Sequence, residues 1–181
     1  EISTYKDWQS FGTWWWNLIQ KQYDDSDEMD TVISELIQED DSNEEKVRKI
    51  YDFITKDIRY VAWEFGIHGY KPYRASTILS RRFGDCKDKS ILMNRLLDKV
   101  GIKAYPVLVR ATWRRGNQDM TVPVIGKFNH CISYVPSFKG GRFLDGTAYL
   151  FFRRPASGHG PGRPGPGGLP GPGGIQGHSA R

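Results

Sequence analysis

Cysteine is scarce in this chain. Two residues among 181 are too few for a disulfide scaffold. Neither belongs to a C-x-x-C pair and no H-E-x-x-H occurs, so the common zinc spacings are excluded and neither a metal nor a cofactor is expected. Long apolar runs are missing as well. Nothing approaches the roughly 18 apolar residues of a membrane-spanning helix, and no signal-peptide pattern is present, so stable membrane insertion is not expected. The chain begins at Glu1 rather than methionine and reads as a fragment or processed form, so the lack of a targeting segment carries no information on location.

Acidic and aromatic residues are absent from one whole region. Residues 153–181 contain neither, yet hold ten of the 20 glycines and six of the ten prolines. Such a composition buries no core and reads as a disordered or extended tail. Gly162, Gly165, Gly168, Gly171, Gly174 and Gly177 fall on a collagen-like period of three, but six are too few for a triple helix, and a low-complexity, non-native extension is the favoured reading. The tail also distorts the charge. Without Arg153, Arg154, Arg163 and Arg181, 22 basic residues face 21 acidic ones, so the formal +5 falls to +1. Residues 1–152 suit a single domain with one core, and give no reason to expect nucleic acid. Basic residues do surround Trp113 between Arg110 and Arg115, but a solvated loop accounts for them.

What is present reads as helices first and strands after. Phe11 to Gln22 is apolar on much of its circumference, and Trp14, Trp15 and Trp16 cannot all share one helix face, which implies core packing plus a contact with another domain. Val32, Ile33, Leu36 and Ile37 mark a short amphipathic helix. Ser42 and Glu45 form a capping box, and Val47, Ile50, Tyr51, Ile54 and Ile58 follow at helical spacing, giving a helix over Asn43 to Asp57. Arg59 to Trp63 is strand-like, Gly66 to Tyr73 an ordered loop, and Ala75 to Arg82 one or two helical turns. A helix beginning at Cys86 ends near Gly101. Strands are expected over Tyr105–Arg110, His130–Val135 and Arg142–Leu144, with a long polar loop or hairpin over residues 111–127 and a turn over Ser137–Gly141. Helices followed by an antiparallel sheet make an α+β arrangement, with the Cys86 helix packed on the sheet.

The segment Phe83-Gly84-Asp85-Cys86-Lys87-Asp88-Lys89 carries the chemistry. Asp85 is a good N-cap, so Cys86 becomes the first helical residue, where unpaired N–H groups and the helix dipole favour a thiolate. The competing reading of a lone cysteine is inert packing. Against it stand the charged flanks, which argue for a position outside the deep core, and the placement of Cys86 ahead of the apolar stripe Ile91, Leu92, Leu96, Leu97 and Val100. Lys87 and Lys89 run against the dipole and need salt partners, with Asp88 as the expected one. Downstream, His130 and then Asp145 complete the order Cys, His, Asp on separate elements. In a strand His130 and Cys131 point to opposite faces, one to a cleft and one to the core. A Cys86–Cys131 disulfide is the arrangement that would abolish this chemistry. His68 reads as a solvated loop residue, and His159 and His178 belong to the tail.

Several strings together resemble the bacterial transglutaminase-like superfamily: Arg59-Tyr60-Val61, the Gly66/Gly69/Pro72 loop, Gly84 to Ser90, Gly101 to Tyr105, Phe128-Asn129-His130 and Leu144 to Ala148. The nearest resemblance is to the domain that often follows a DUF3857 domain in extracytoplasmic proteins, and it covers roughly residues 5–148. It implies a papain-like α+β fold and a triad of Cys86 as nucleophile, His130 as base and Asp145 as orienting group. It also implies a periplasmic or cell-surface location and an upstream domain in the full-length chain. Members usually continue as ordered chain beyond the position of Ala148, so either the domain is truncated or the tail is not native.

The expected reaction is acyl transfer on a protein or peptide substrate, with hydrolysis by a cysteine peptidase or amidase favoured. An amine-using transglutaminase and a non-catalytic binding module are the alternatives. The Cys86 backbone N–H is the natural first oxyanion donor. Tyr60, Trp63 and Asn129 are candidates for the second, with core packing the competing reading for Tyr60 and above all for Trp63.

Overall fold

The computed structural model describes residues 3–111 and 119–148. The tail from Arg153 and the Trp113 region lie outside the described residues. Helix α1 spans Trp8–Ile19, beginning three residues before Phe11 because Asp7 and Ser10 form a capping box ahead of it. A 3₁₀ turn over Gln20–Gln22 leads to α2, Asp27–Leu36. Helix α3, Asn43–Asp57, has the expected Ser42/Glu45 box. Strand β1 is Arg59–Tyr60, α4 is Ala75–Arg81, β2 is Phe83–Gly84 and α5 is Cys86–Lys99. Strands β3 (Tyr105–Val109), β4 (His130–Val135) and β5 (Arg142–Leu144) form an antiparallel sheet with β4 in the middle. Val109 lies opposite His130 and Leu144 opposite Ser133.

The expected α+β architecture is therefore present, with one correction. The strand expected over Arg59–Trp63 is two residues long and pairs with β2 in parallel, Arg59 opposite Phe83 and Tyr60 opposite Gly84. This ladder is separate from the antiparallel sheet. It ties the end of α3 to the turn that enters α5.

Helix α5 lies at the centre. Every residue from Lys87 to Asn94 is buried, so the one-sided stripe read from the sequence understates its enclosure. Ile50, Ile54 and Ile58 of the α3 region and Ile78 and Leu79 of α4 share one core with Ile91, Leu92, Leu96 and Leu97. On the sheet side, Ser90 donates to the Cys131 carbonyl at 3.2 Å and Ser133 donates to the Ser90 carbonyl at 3.5 Å. Two small hydroxyl residues thus let helix and strand approach closely. Along β4 burial alternates, with Cys131, Ser133 and Val135 buried between partly exposed neighbours.

A helix buried all round must satisfy its polar side chains individually. Lys87 pairs with Asp85, and the Lys89 ammonium donates to the Ile58 carbonyl at 2.6 Å. Asp88 is fully buried and pairs with Arg81 at 2.6 Å rather than with a lysine. The charged flanks of Cys86 therefore do not signal solvent, as the sequence reading assumes. They are buried charges with dedicated partners.

Candidate functional site

Cys86 is the first residue of α5, and Asp85 caps it through a full capping box with Asp88. Gly84 is required by the approach of Asp88, whose Cβ would lie 2.6 Å from a Cβ added there. Asp88 also accepts the Tyr73 N–H at 2.9 Å. One carboxylate thereby joins the Gly84 turn, the loop that ends at Tyr73, and the first turn of the cysteine helix. Burial, then the charge of Asp85, pushes Asp88 up to about 6 against the pull of Tyr73, Lys87 and Arg81.

His130 opens β4, and its Nε2 lies 2.8 Å from Asp145 Oδ2. Cys86 and His130 line the same cleft, and with Nε2 committed to Asp145 the ring nitrogen left for the thiol is Nδ1. Asp145 first, and then Cys86, push His130 up to about 10, against burial, and so favour the charged ring. Asp145 is held in turn by Thr147, whose N–H and hydroxyl both donate to Oδ1, at 2.9 and 2.7 Å. Burial alone would raise Asp145; the bonds from His130 and Thr147 outweigh it and keep the carboxyl below its ordinary value. The Asp145 backbone is fixed as well, since the Tyr51 hydroxyl donates to its carbonyl at 3.0 Å. The sequence reading gives Thr147 no role, although Asp-Gly-Thr is a turn signature in which a hydroxyl or N–H two residues on bonds the carboxylate.

Of the proposed oxyanion donors, the Cys86 N–H sits at the helix start, where no intrahelical acceptor exists. Tyr60 lies opposite Gly84 on the β1–β2 ladder, two residues before Cys86, and burial, then the charges of Cys86 and Asp85, hold its phenol above the ordinary value, so it is a proton donor at neutral pH. Asn129 lines the cleft, but its side-chain amide is engaged with Ala111, accepting the Ala111 N–H at 2.8 Å and donating to the Ala111 carbonyl at 3.0 Å. Trp63 is 77% exposed, which corrects the core-packing expectation for it. Tyr60, half-exposed, is not a core residue either. His68 is not simply solvated, because it stacks on Tyr73 with ring centroids 4.0 Å apart.

Both cysteines are free thiols, so the Cys86–Cys131 disulfide is not formed. Cys131 is buried, and burial pushes its thiol up. Beside Cys86 and His130 opens a cleft of about 120 Å³, walled by Trp15, Tyr70, Leu108 and Phe128 among others. Trp15 is thus the member of the tryptophan triplet that serves the site, and its indole donates to the Tyr70 carbonyl at 3.3 Å. Phe128 is held by Trp8 and Phe11 of α1, with centroids 5.7 and 6.0 Å away. Sequence patterns gave no sign of this wall, which depends on contacts between residues more than a hundred positions apart. No group of His, Cys, Asp and Glu among the described residues is arranged to hold a metal.

A model of the transglutaminase-like superfamily matches residues 30–137, more than half of the chain. No curated protein matches it. Among solved structures, a protein of Parabacteroides distasonis ATCC 8503, described as a "putative protease", superposes with a TM-score of 0.61 at 20% identity. The match covers 78% of this chain and 27% of that one, so the fold corresponds to a minor part of the longer protein.

Proposed function

Since the chain belongs to the transglutaminase-like superfamily, we propose that it is a cysteine-dependent acyl-transfer enzyme that hydrolyses peptide or related amide bonds. What supports this reading is the hydrogen-bonded run from Thr147 through Asp145 to His130, together with the cleft that His130 and Cys86 line in common. Asp145 fixes the ring and stabilises its charged form, which is the role of the third member of a nucleophile–base–carboxylate set.

Cys86 attacks the amide carbonyl as a thiolate, forming the C–S bond and moving the π electrons to oxygen. The Cys86 N–H and the Tyr60 hydroxyl are the donors assigned to that oxyanion. As the tetrahedral adduct collapses, the imidazolium of His130 passes its proton to the departing nitrogen, and the amine leaves. A thioester remains. His130, now neutral, takes a proton from water as the water oxygen attacks the thioester. Collapse releases the carboxylic acid and restores the thiolate–imidazolium pair.

Hydrolysis is preferred to amine transfer because the carboxylate that lines the cleft beside Cys86, Asp85, is already paired with Lys87 and leaves no free acidic group there to gather a lysine side chain. The test uses a glutamine-containing peptide with a labelled primary amine. Cleavage or ammonia release without amine incorporation is expected, and Cys86→Ala should abolish both. Incorporation dominating at millimolar amine would replace the hydrolase by a transglutaminase.

A further inference from the structure

Six of the ten large apolar side chains exposed among the described residues fall on one stretch and its paired strand: Tyr60, Trp63, Phe65, Ile67, Tyr70 and, across the β1–β2 ladder, Phe83. Trp63 and Phe65 are 77% and 75% exposed and meet edge to face, with centroids 6.4 Å apart. Apolar area left in water forgoes about 25 cal/mol per Å². A cluster of this kind marks a binding surface more often than a scattered exposed side chain does.

The stretch is pinned at both ends beside Cys86. At its start, the Val61 N–H donates to the Gly84 carbonyl at 2.9 Å, and Tyr60 lies opposite Gly84, two residues before Cys86. At its end, Gly69 and Tyr70 line the cleft that Cys86 shares with His130, and the Tyr70 carbonyl is held by Trp15. Eight residues, 61–68, connect the two. A segment so short and anchored keeps what it carries within reach of any chain bound at the sulfur. Between Tyr60 and Tyr70 the acidic or basic side chains are Glu64 and His68, the latter stacked on Tyr73, so the surface suits an uncharged, apolar ligand.

We infer that residues 61–70 form the specificity surface for the acyl donor. They receive an extended peptide bearing large apolar side chains, aromatic or leucine-like, next to the scissile amide. This rests on the amide-cleaving reading above and adds the substrate class to it.

The test compares two peptidyl vinyl sulfones of equal length, one carrying Leu-Phe and one Ser-Gly, by the rate at which each adds to Cys86 in intact-mass spectra. Iodoacetamide, too small to need the loop, measures the reactivity of the sulfur itself. The Leu-Phe probe should react at least about tenfold faster, as expected for tens of Å² of apolar contact. The double variant Trp63→Ser/Phe65→Ser should bring the ratio close to one. Equal rates for the two probes on the wild-type protein would overturn the assignment and leave amide cleavage standing. Reaction with iodoacetamide but with neither peptide probe would remove the amide-cleaving reading and the assignment with it. A dimer in sedimentation analysis that the same two substitutions dissolve would give the surface to a second copy of the chain, which also overturns it.

Discussion

At the residue scale the two cysteines are a matched comparison. Cys86 is partly exposed at a helix start, whereas Cys131 is buried on β4 and its thiol is pushed up by burial. Iodoacetamide at neutral pH should therefore label Cys86 first and leave Cys131 untouched in the native protein; equal labelling of both by peptide mapping would contradict this. The pH dependence follows from His130 and Asp145. His130 is raised from 6.5 to about 10, so its stabilising contribution is complete below 6.5 and is lost as the pH rises through about 10. Asp145 is lowered from 3.8, so its contribution is present above 3.8 and is lost as the pH falls through its lower folded value. Stability from the pair should thus span the range between. Asp145→Asn removes the carboxylate that contributes most to holding His130 up. The alkaline limb of the rate profile should move toward neutrality and turnover should fall by roughly a hundredfold or more. Superimposable alkaline limbs for wild type and variant would show that Asp145 does not govern the ring.

At the scale of elements, the turn before α5 is the most constrained feature. Gly84→Ala would drive a methyl to 2.6 Å from Asp88 Cβ, and the helix start must shift to admit it. A loss of about 1–3 kcal/mol is expected, measured from denaturant midpoints. Asp88→Ala should cost about 3–5 kcal/mol, because it strands Arg81, whose guanidinium lies 4.1 Å from the Tyr73 ring and 4.6 Å from that of Phe83. A wild-type-like midpoint would show that Asp88 is dispensable. These elements also show what was legible beforehand. Capping chemistry suffices to begin α5 at Cys86, and strand alternation suffices to separate His130 from Cys131, because both are local rules. The partner of Asp88 was not legible, since Arg81 reaches it across the Gly84 turn while two lysines sit closer in sequence. The exposure of Trp63 was not legible either: a tryptophan in a strand-like run reads as core, and only the early end of β1 at Tyr60 turns it outward.

At the scale of the whole molecule, composition separates a body able to bury a core from a segment that is not. On that ground, deletion of residues 153–181 should change the melting temperature by less than about 2 °C. A loss of several degrees would place part of that segment within the folded unit. The order of helices followed by strands was enough to give the α+β class, because each pattern is periodic and local. The aromatic wall of Trp8, Phe11 and Phe128 was not foreseeable, since it joins the first helix to a distant loop. The burial of α5 on every side has a last consequence, in the time domain. A surface helix frays and its amides trade hydrogen for deuterium through small local openings, whereas an enclosed one exchanges only when the whole structure opens. The amides of residues 90–97 should therefore be among the slowest to exchange in the protein. Cys86 would then keep its alignment for as long as the chain stays folded, and would lose it in the same event that ends the fold.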